Sequence, residues 1–191
     1  DVLTYITYKL SGFPKERVIG SGTVLDTSRL KYILGKYFNV NNNNIHGYVI
    51  GEHGDSEVVT WSAGRIGSQG FDGYSDQRNL EWDDQIKEVI EEDVKNAAYE
   101  IIKRKQATYF AIGLAVNRIV EAIFRDENSI LTVASLFEGQ YGLKDIYLSI
   151  PTIVNRLGAT RIIEIPLAKE EEEKLKNSAD ILKGHLNQCN L

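Results

Sequence analysis

The sequence predicts an α+β fold, helices packed on an antiparallel sheet meander, and three observations carry that prediction. The last third of the chain drops the helical spacing of its apolar residues and runs in three β-rich stretches separated by turns. The middle third carries two long apolar stripes at helical spacing. The one glycine turn that could open a parallel βαβ unit, Gly20-Ser21-Gly22-Thr23, fails the dinucleotide fingerprint. Leu25 stands where its third glycine belongs, and no acidic residue closes a second strand about 20 residues on.

In chain order, residues 1–11 read as a helix with Leu3, Tyr5, Ile6 and Leu10 partly on one side, ended by Gly12-Phe13-Pro14. Arg17–Thr23 reads as a short strand entering the glycine turn. Leu25–Phe38 is a helix through Leu30, Ile33, Leu34, Tyr37 and Phe38, followed by a polar loop, Asn39–Asn44. A strand follows over His46–Ile50. From Val58 through the glycine-rich stretch to Tyr74 there is little periodicity, and irregular or short-strand structure is expected. Helices are predicted from Trp82 to Lys105 and from Ala107 to Arg125. The first carries a core stripe of Ile86, Val89, Ile90, Val94, Ala97, Ala98, Ile101 and Ile102, the second one of Ile112, Val116, Ile119, Val120 and Ile123. The meander is placed at Ile130–Leu136, Ile146–Val154 and Ala159–Ile165. Residues 167–188 return to helix, with the acidic run Glu170–Glu173 read as a solvated face at the positive end of the macrodipole.

The 191 residues suit one domain spanning 1–191, able to bury roughly 70% of the unfolded surface. A net charge of −5 offers no basic stripe for nucleic acid. No apolar run approaches the roughly 18 residues of a membrane span, and no secretory signal pattern opens the sequence. The single cysteine, Cys189, can form neither an internal disulfide nor a metal site, which points to a reducing, cytoplasmic compartment. Methionine is absent and Asp1 leads straight into an uncapped helix. The expectation is therefore that further polypeptide precedes Asp1, the competing explanation being removal of a lone initiator methionine.

Three residue types in one arrangement carry the chemistry. His53 lies in Gly51-Glu52-His53-Gly54-Asp55-Ser56, after the apolar Tyr48-Val49-Ile50, with glycines that permit a tight turn and close approach of a ligand. Imidazole, with an ordinary pKa near ~6.5, takes and returns a proton close to neutrality. Asp26 could orient it and stabilise the imidazolium. Arg29, three residues on, shares Asp26's helix face, and its planar fork matches a carboxylate in two parallel hydrogen bonds. A small acid gripped by Arg29 would present its neighbouring carbon to His53. The bland alternatives are a structural histidine beside glycine and a solvated i,i+3 ion pair. There is no P-loop and no HExxH, and His46 and His53, seven residues apart, have no metal-ligand spacing; no metal is expected.

The run Val18 to Arg29 is similar to the GSGTxLDxxR segment of the L-lactate dehydrogenase family, and Ile50 to Ser56 to its active-site histidine loop. Ala107-Thr108-Tyr109 opening a helix and Ser129 to Val133 opening the meander match too. The resemblance, to the L-lactate dehydrogenase family within the lactate/malate dehydrogenase superfamily, covers essentially the whole chain. It implies the substrate-binding, catalytic half of such an enzyme, lacking the Rossmann half that holds most of the NAD, with Asp1 closing the family's Asn-Pro-Val-Asp junction at the substrate site. By the same resemblance His53 exchanges the proton of lactate or pyruvate while hydride passes to or from NAD. Asp26 supports it, Arg29 grips the substrate carboxylate and Thr108 lines the pocket. Ser21 and Ile112 face the nicotinamide. Many bacterial members are homo-oligomers, tetramers or dimers, and in many fructose 1,6-bisphosphate binds across a subunit interface; the matching positions are Lys31 and His46. Lysine replaces the usual arginine there, so a phosphate would meet a point charge in place of a bidentate fork. Gln106 stands where glycine is usual and would crowd the pocket rim. Malate or a branched 2-hydroxy acid is the alternative substrate; a noncatalytic fragment or assembly module is the alternative of another class. Without the neighbouring half, apolar surface around Leu3, Ile6 and Ile112 would be exposed.

Overall fold

The computed structural model describes residues 1–106 and 108–189, without the side chains at 98, 100–102, 104 and 105. Its helices are α1 (Val2–Ser11), α2 (Val24–Phe38), α3 (Phe71–Arg78), α4 (Asp84–Lys105), α5 (Phe110–Phe124) and α6 (Lys169–Gln188). Its strands are β1 (Ile45–His46), β2 (Val49–Ile50), β3 (Val58–Val59), β4 (Arg65–Ile66), β5 (Gln69–Gly70), β6 (Ser129–Glu138), β7 (Lys144–Asn155) and β8 (Gly158–Ile162).

The expected meander is β6-β7-β8, antiparallel throughout, with Ala134 opposite Ser149 and Ile153 opposite Arg161. The first two strands run longer than the sequence pattern suggested and the third stops at Ile162. β7 is its central strand and is buried from Ile146 to Thr152 with almost no alternation, because both faces are covered. Ile146, Leu148 and Ile150 pack against Leu175, Ala179 and Leu182 of α6. On the other face Tyr147 meets Val18 and the α1 tyrosines Tyr5 and Tyr8. A two-stranded antiparallel sheet, β2-β3, lies against β7, and a small three-stranded one, β1-β4-β5, lies beside α2.

α2 crosses the molecule with the stripe Leu30, Leu34 and Phe38, one turn apart, buried against Ile45, Val49, Val59, Phe71, Ile90 and Val94. Each such side chain stabilises the fold by roughly 1.5–3 kcal/mol. The helix stops at Asn39, which takes the left-handed conformation (φ 52°) and returns its N–H to the carbonyls of Gly35 and Lys36.

The structure corrects several expectations. Arg17–Thr23 is not a strand: Lys15–Arg17 form a 3-10 turn, and Gly20 alone pairs with Ala134. A Cβ at Gly20 would lie 2.5 Å from the Thr4 hydroxyl and 2.9 Å from the Ala134 Cβ. The stretch before Tyr74 contains a helix, α3, whose apolar anchor Phe71 is buried against Phe38. α5 begins at Phe110; Ala107, where the helix was expected to start, lies outside the described residues, as do the side chains of Ala98, Ile101 and Ile102 in the α4 stripe. Val89, Val116 and Val120 are exposed, not core. Glu171, in the acidic run, is buried. Its carboxylate accepts the N–H groups of Ser62 (2.9 Å) and Ala168 (2.9 Å), tying the start of α6 to the loop after β3.

Candidate active site

The first turn of α2 is held by buried hydroxyls. The Thr23 N–H donates to Ser149 Oγ (3.1 Å), the Thr23 hydroxyl to the Val49 carbonyl, and Thr27 Oγ1 accepts the Val49 N–H (3.0 Å) and lies 2.9 Å from Thr132 Oγ1. Gly22, at φ 52°, makes the approach possible. A Cβ there would come within 2.6 Å of Ser149 Oγ and 2.7 Å of the Ala134 nitrogen. α2 is thereby bonded to β2 and to the meander at once, which fixes Asp26.

The histidine loop leaves β2 through Gly51, at φ 89°, which exchanges two 2.9 Å backbone hydrogen bonds with Ser149. Ser178 on α6 accepts the Glu52 N–H (2.8 Å) and sits 3.1 Å from the Ser56 hydroxyl, which itself donates to the Glu52 carboxylate. Asp1 Oδ2 accepts the His53 N–H (2.7 Å). Each end of the loop is therefore anchored, and the imidazole projects from between them.

Asp26, only 2% exposed, divides its two oxygens: Oδ1 accepts from Arg29 Nη1 (2.9 Å) and Oδ2 lies 2.7 Å from His53 Nδ1. Oδ2 has no other partner, so the Nδ1 proton is what satisfies it, leaving Nε2 of the neutral ring as the free proton acceptor. The Asp26 hydrogen bond raises the His53 pKa, with help from Glu57, while burial and Arg29 oppose the rise. Half of the His53 side chain faces solvent.

Asp26, Arg29 and His53 line one cleft with Gly54, Asp55, Glu57, Lys95 and Tyr99. Glu57 is 6% exposed and its Oε1 has no hydrogen-bond partner. Burial first, and the neighbouring Asp26 second, push its pKa up to about 8; His53, Lys95 and Arg29 pull the other way. Donor atoms of Asp26, His53 and Glu57 lie within 4.8 Å of one another, the only such convergence found among the described residues. That spread would admit a cation, but the Arg29 guanidinium already occupies one Asp26 oxygen, so a proton is the simpler guest.

The remaining expected site residues lie elsewhere. Thr108 is half-buried between α4 and α5, outside the lining of this cleft. Ser21 sits in the turn before α2, its carbonyl accepting the Val24 N–H, and Ile112 packs in the cluster that holds Val24. Lys31 is half-buried, its ammonium 5.6 Å from the Tyr48 ring centre, and burial lowers its pKa. His46 is exposed on β1, opposite Arg65 of β4, whose guanidinium is turned onto the carbonyls of Ser62 and Gly64. Glu57, Lys95 and Tyr99 were not singled out from sequence. Glu57 is four residues after His53, and Lys95 and Tyr99 are spaced i,i+4 on α4, so the signals were the loop and a helix face.

These features define a class: an α+β domain whose buried helix carboxylate orients a loop histidine beside an arginine. The chain belongs to the lactate/malate dehydrogenase family, matching its alpha/beta C-terminal domain over residues 23–190. It is 59% identical over 186 residues to an L-lactate dehydrogenase of Clostridium perfringens (strain SM101 / Type A), which covers 97% of this chain and 59% of that protein. It is 58% identical, with the same coverage, to L-lactate dehydrogenase 1 of Clostridium acetobutylicum. Among solved structures, it superposes on MGS-M5, a lactate dehydrogenase from a deep-sea metagenome library, with a TM-score of 0.96 at 42% identity, over 100% of this chain and 61% of that one. The minor L-lactate dehydrogenase of Enterococcus mundtii, ligands bound, gives 0.93 at 39% identity, over 98% and 60%. The chain thus spans about three fifths of the length of these relatives.

Proposed function

We propose that this chain carries the substrate site of an NAD-dependent L-lactate dehydrogenase. The observation that carries the reading is the Asp26 carboxylate held between His53 Nδ1 at 2.7 Å and Arg29 at 2.9 Å, in a cleft open to solvent. One guanidinium nitrogen is spent on Asp26; the rest of the fork is available to a substrate carboxylate, in charge-assisted bonds of roughly 1.5–3 kcal/mol each. A 2-hydroxy acid so held presents its hydroxyl to Nε2 of His53, which accepts the proton in oxidation and returns it to the ketone in reduction. Asp26 stabilises the imidazolium between those events. Bound NAD would supply the hydride acceptor at the neighbouring carbon. The residues here suit one face of a flat ring: Ile112 is half-buried on α5, and Ser21 adds a hydroxyl near the foot of α2. Thr108 and Asp1 complete the proposed substrate surroundings.

The same reading makes the enzyme a cytoplasmic homo-oligomer, with the polypeptide that cradles NAD outside this chain. The names of the relatives favour lactate over malate or a branched acid. In the full-length enzyme His53→Ala should lower pyruvate reduction by a factor on the order of 10² to 10⁴, with pyruvate preferred over oxaloacetate and a branched keto acid. The 191-residue chain alone should leave NADH unoxidised. Near-normal turnover of the variant would overturn the role of His53.

Fructose 1,6-bisphosphate activation at Lys31 and His46 belongs to this proposal. What supports it is that α2 packs beside β1, which sets a half-buried cation and an exposed imidazole on neighbouring elements. Titrating the bisphosphate into the full-length enzyme should lower the KM for pyruvate; an unchanged KM removes the activator site.

A further inference from the structure

One buried acid beside the Asp26–His53 pair has no part in the chemistry proposed above. Glu57 is almost wholly excluded from water, yet Oε1 finds no donor. A carboxylate so placed is costly unless it is neutralised or paired. Its surroundings decide which. α2 presents Asp26 and Arg29, the loop presents His53 and Asp55, and α4 presents Lys95 and Tyr99, whose hydroxyl donates to Asp55 at 3.3 Å. Asp26 is already engaged by Arg29 and the imidazole. Of two acids whose oxygens lie within 4.8 Å of each other and of a ring nitrogen, Glu57 is therefore the one left to carry a proton.

That assignment depends on the ring. Beside a neutral imidazole, an ionised Glu57 would place a second anion against Asp26. Beside an imidazolium the second anion is paired. We propose that Glu57 and His53 titrate as one coupled pair: the charged imidazole favours loss of the Glu57 proton, and the ionised Glu57 then holds the imidazole's proton to higher pH. This acid, without touching substrate, then sets the pH range over which His53 holds its proton. The shifts agree in sign: His53 draws Glu57 down from the high value that burial imposes, and Glu57 helps raise His53. The consequence for turnover rests on the acid/base role proposed for His53; the coupling itself does not.

The test follows the His53 ring protons by NMR against pH in the full-length protein, native and Glu57→Gln, with the pH profile of pyruvate reduction measured on the same samples. Glutamine keeps the shape and removes the charge. The native ring should titrate more broadly than a single-proton curve. In the variant the curve should sharpen and its midpoint fall by about half a pH unit or more. The alkaline limb of the rate profile should move with it, leaving about threefold less activity one pH unit above the native midpoint, relative to the acid plateau. A ring titration that superimposes on the native one overturns the proposal. A midpoint that falls while the rate profile stays put upholds the coupling and removes His53 as the acid/base. Should Glu57→Gln not fold, the carboxyl carbon of Glu57 is titrated in native protein and in His53→Gln. Its midpoint should rise once the imidazole is gone, and an unchanged midpoint again overturns the coupling.

Discussion

α2 buries polar side chains on two faces, and the two are finished differently. Toward β2 and the meander it presents Thr23 and Thr27, whose hydroxyls, with those of Ser149 and Thr132, pair with one another or with the backbone of Val49 and Thr23. Toward the cleft it presents Asp26 and Arg29, and beside them a buried carboxyl oxygen of Glu57 is left without a donor. The first face consists of small neutral groups that satisfy one another, which makes burial inexpensive and geometry unique. The second concentrates titratable groups whose partners are incomplete until a proton or a ligand arrives. One helix thus separates the polar contacts that fix structure from those that remain free to react.

The sharpest way to break that comparison is Asp26→Asn. The amide offers Nδ1 a neutral partner of nearly the same shape and, turned so that its NH2 faces the ring, selects the wrong tautomer. It also cannot stabilise an imidazolium. Turnover of the full-length enzyme should fall by a factor on the order of 10² to 10⁴. The His53 pKa should fall too, since the Asp26 hydrogen bond is the largest cause of its rise. The sign follows: with a lower pKa the charged ring is lost sooner as pH climbs, so the residual pyruvate reduction should decline from a lower pH than in the native enzyme. A variant with native turnover and a weaker fold would show that the cleft face is structural after all.

The same division explains what the sequence could and could not disclose. Asp26 and Arg29 stand i,i+3 on a helix with strong apolar periodicity, and His53 lies between two glycines after a buried strand, so local spacing marked all three as candidates, which the family resemblance then joined into one site. Glu57 looked like any polar loop residue, because its burial comes from α4 and α2 folding over it, and neither contact is encoded nearby. Glu171 was hidden in a run of four acids; it turns inward because Ser62, more than a hundred residues away in sequence, and Ala168, at the start of the same helix, both offer it N–H groups. α3 was missed because Phe71-Asp72-Gly73-Tyr74-Ser75-Asp76-Gln77-Arg78 has almost no apolar period and is anchored chiefly through Phe71. The meander was legible because β6 and β7 are long and β-rich. The supposed strand at Arg17–Thr23 was not one, because its pairing with β6 is a single bridge at Gly20, and the next backbone contact, Thr23 N–H to the Thr132 carbonyl at 3.1 Å, already belongs to the turn into α2. Gln106 is legible only in part. The sequence flagged it as replacing a glycine, and the structure adds a left-handed backbone (φ 61°) at the end of α4, where a β-carbon costs on the order of 1 kcal/mol.

A smaller effect tests the other face. Thr27→Val is nearly isosteric, so it removes the hydroxyl without opening a cavity. It leaves the Val49 N–H short of an acceptor and the Thr132 hydroxyl without its 2.9 Å neighbour. An unmet buried donor costs about 1–3 kcal/mol, and in a protein of this size that lowers the unfolding midpoint by about 2–4 °C per kcal/mol. Turnover measured well below that midpoint should stay within about twofold of native, since Asp26, Arg29 and His53 keep their mutual contacts; a tenfold loss of turnover in a variant of unchanged stability would mean that the hydroxyls steer the reaction. The expected split follows from where the missing bond sits: Val49 lies in a strand pinned a second time through Gly51 and Ser149, so the histidine loop keeps its anchor when Thr27 lets go.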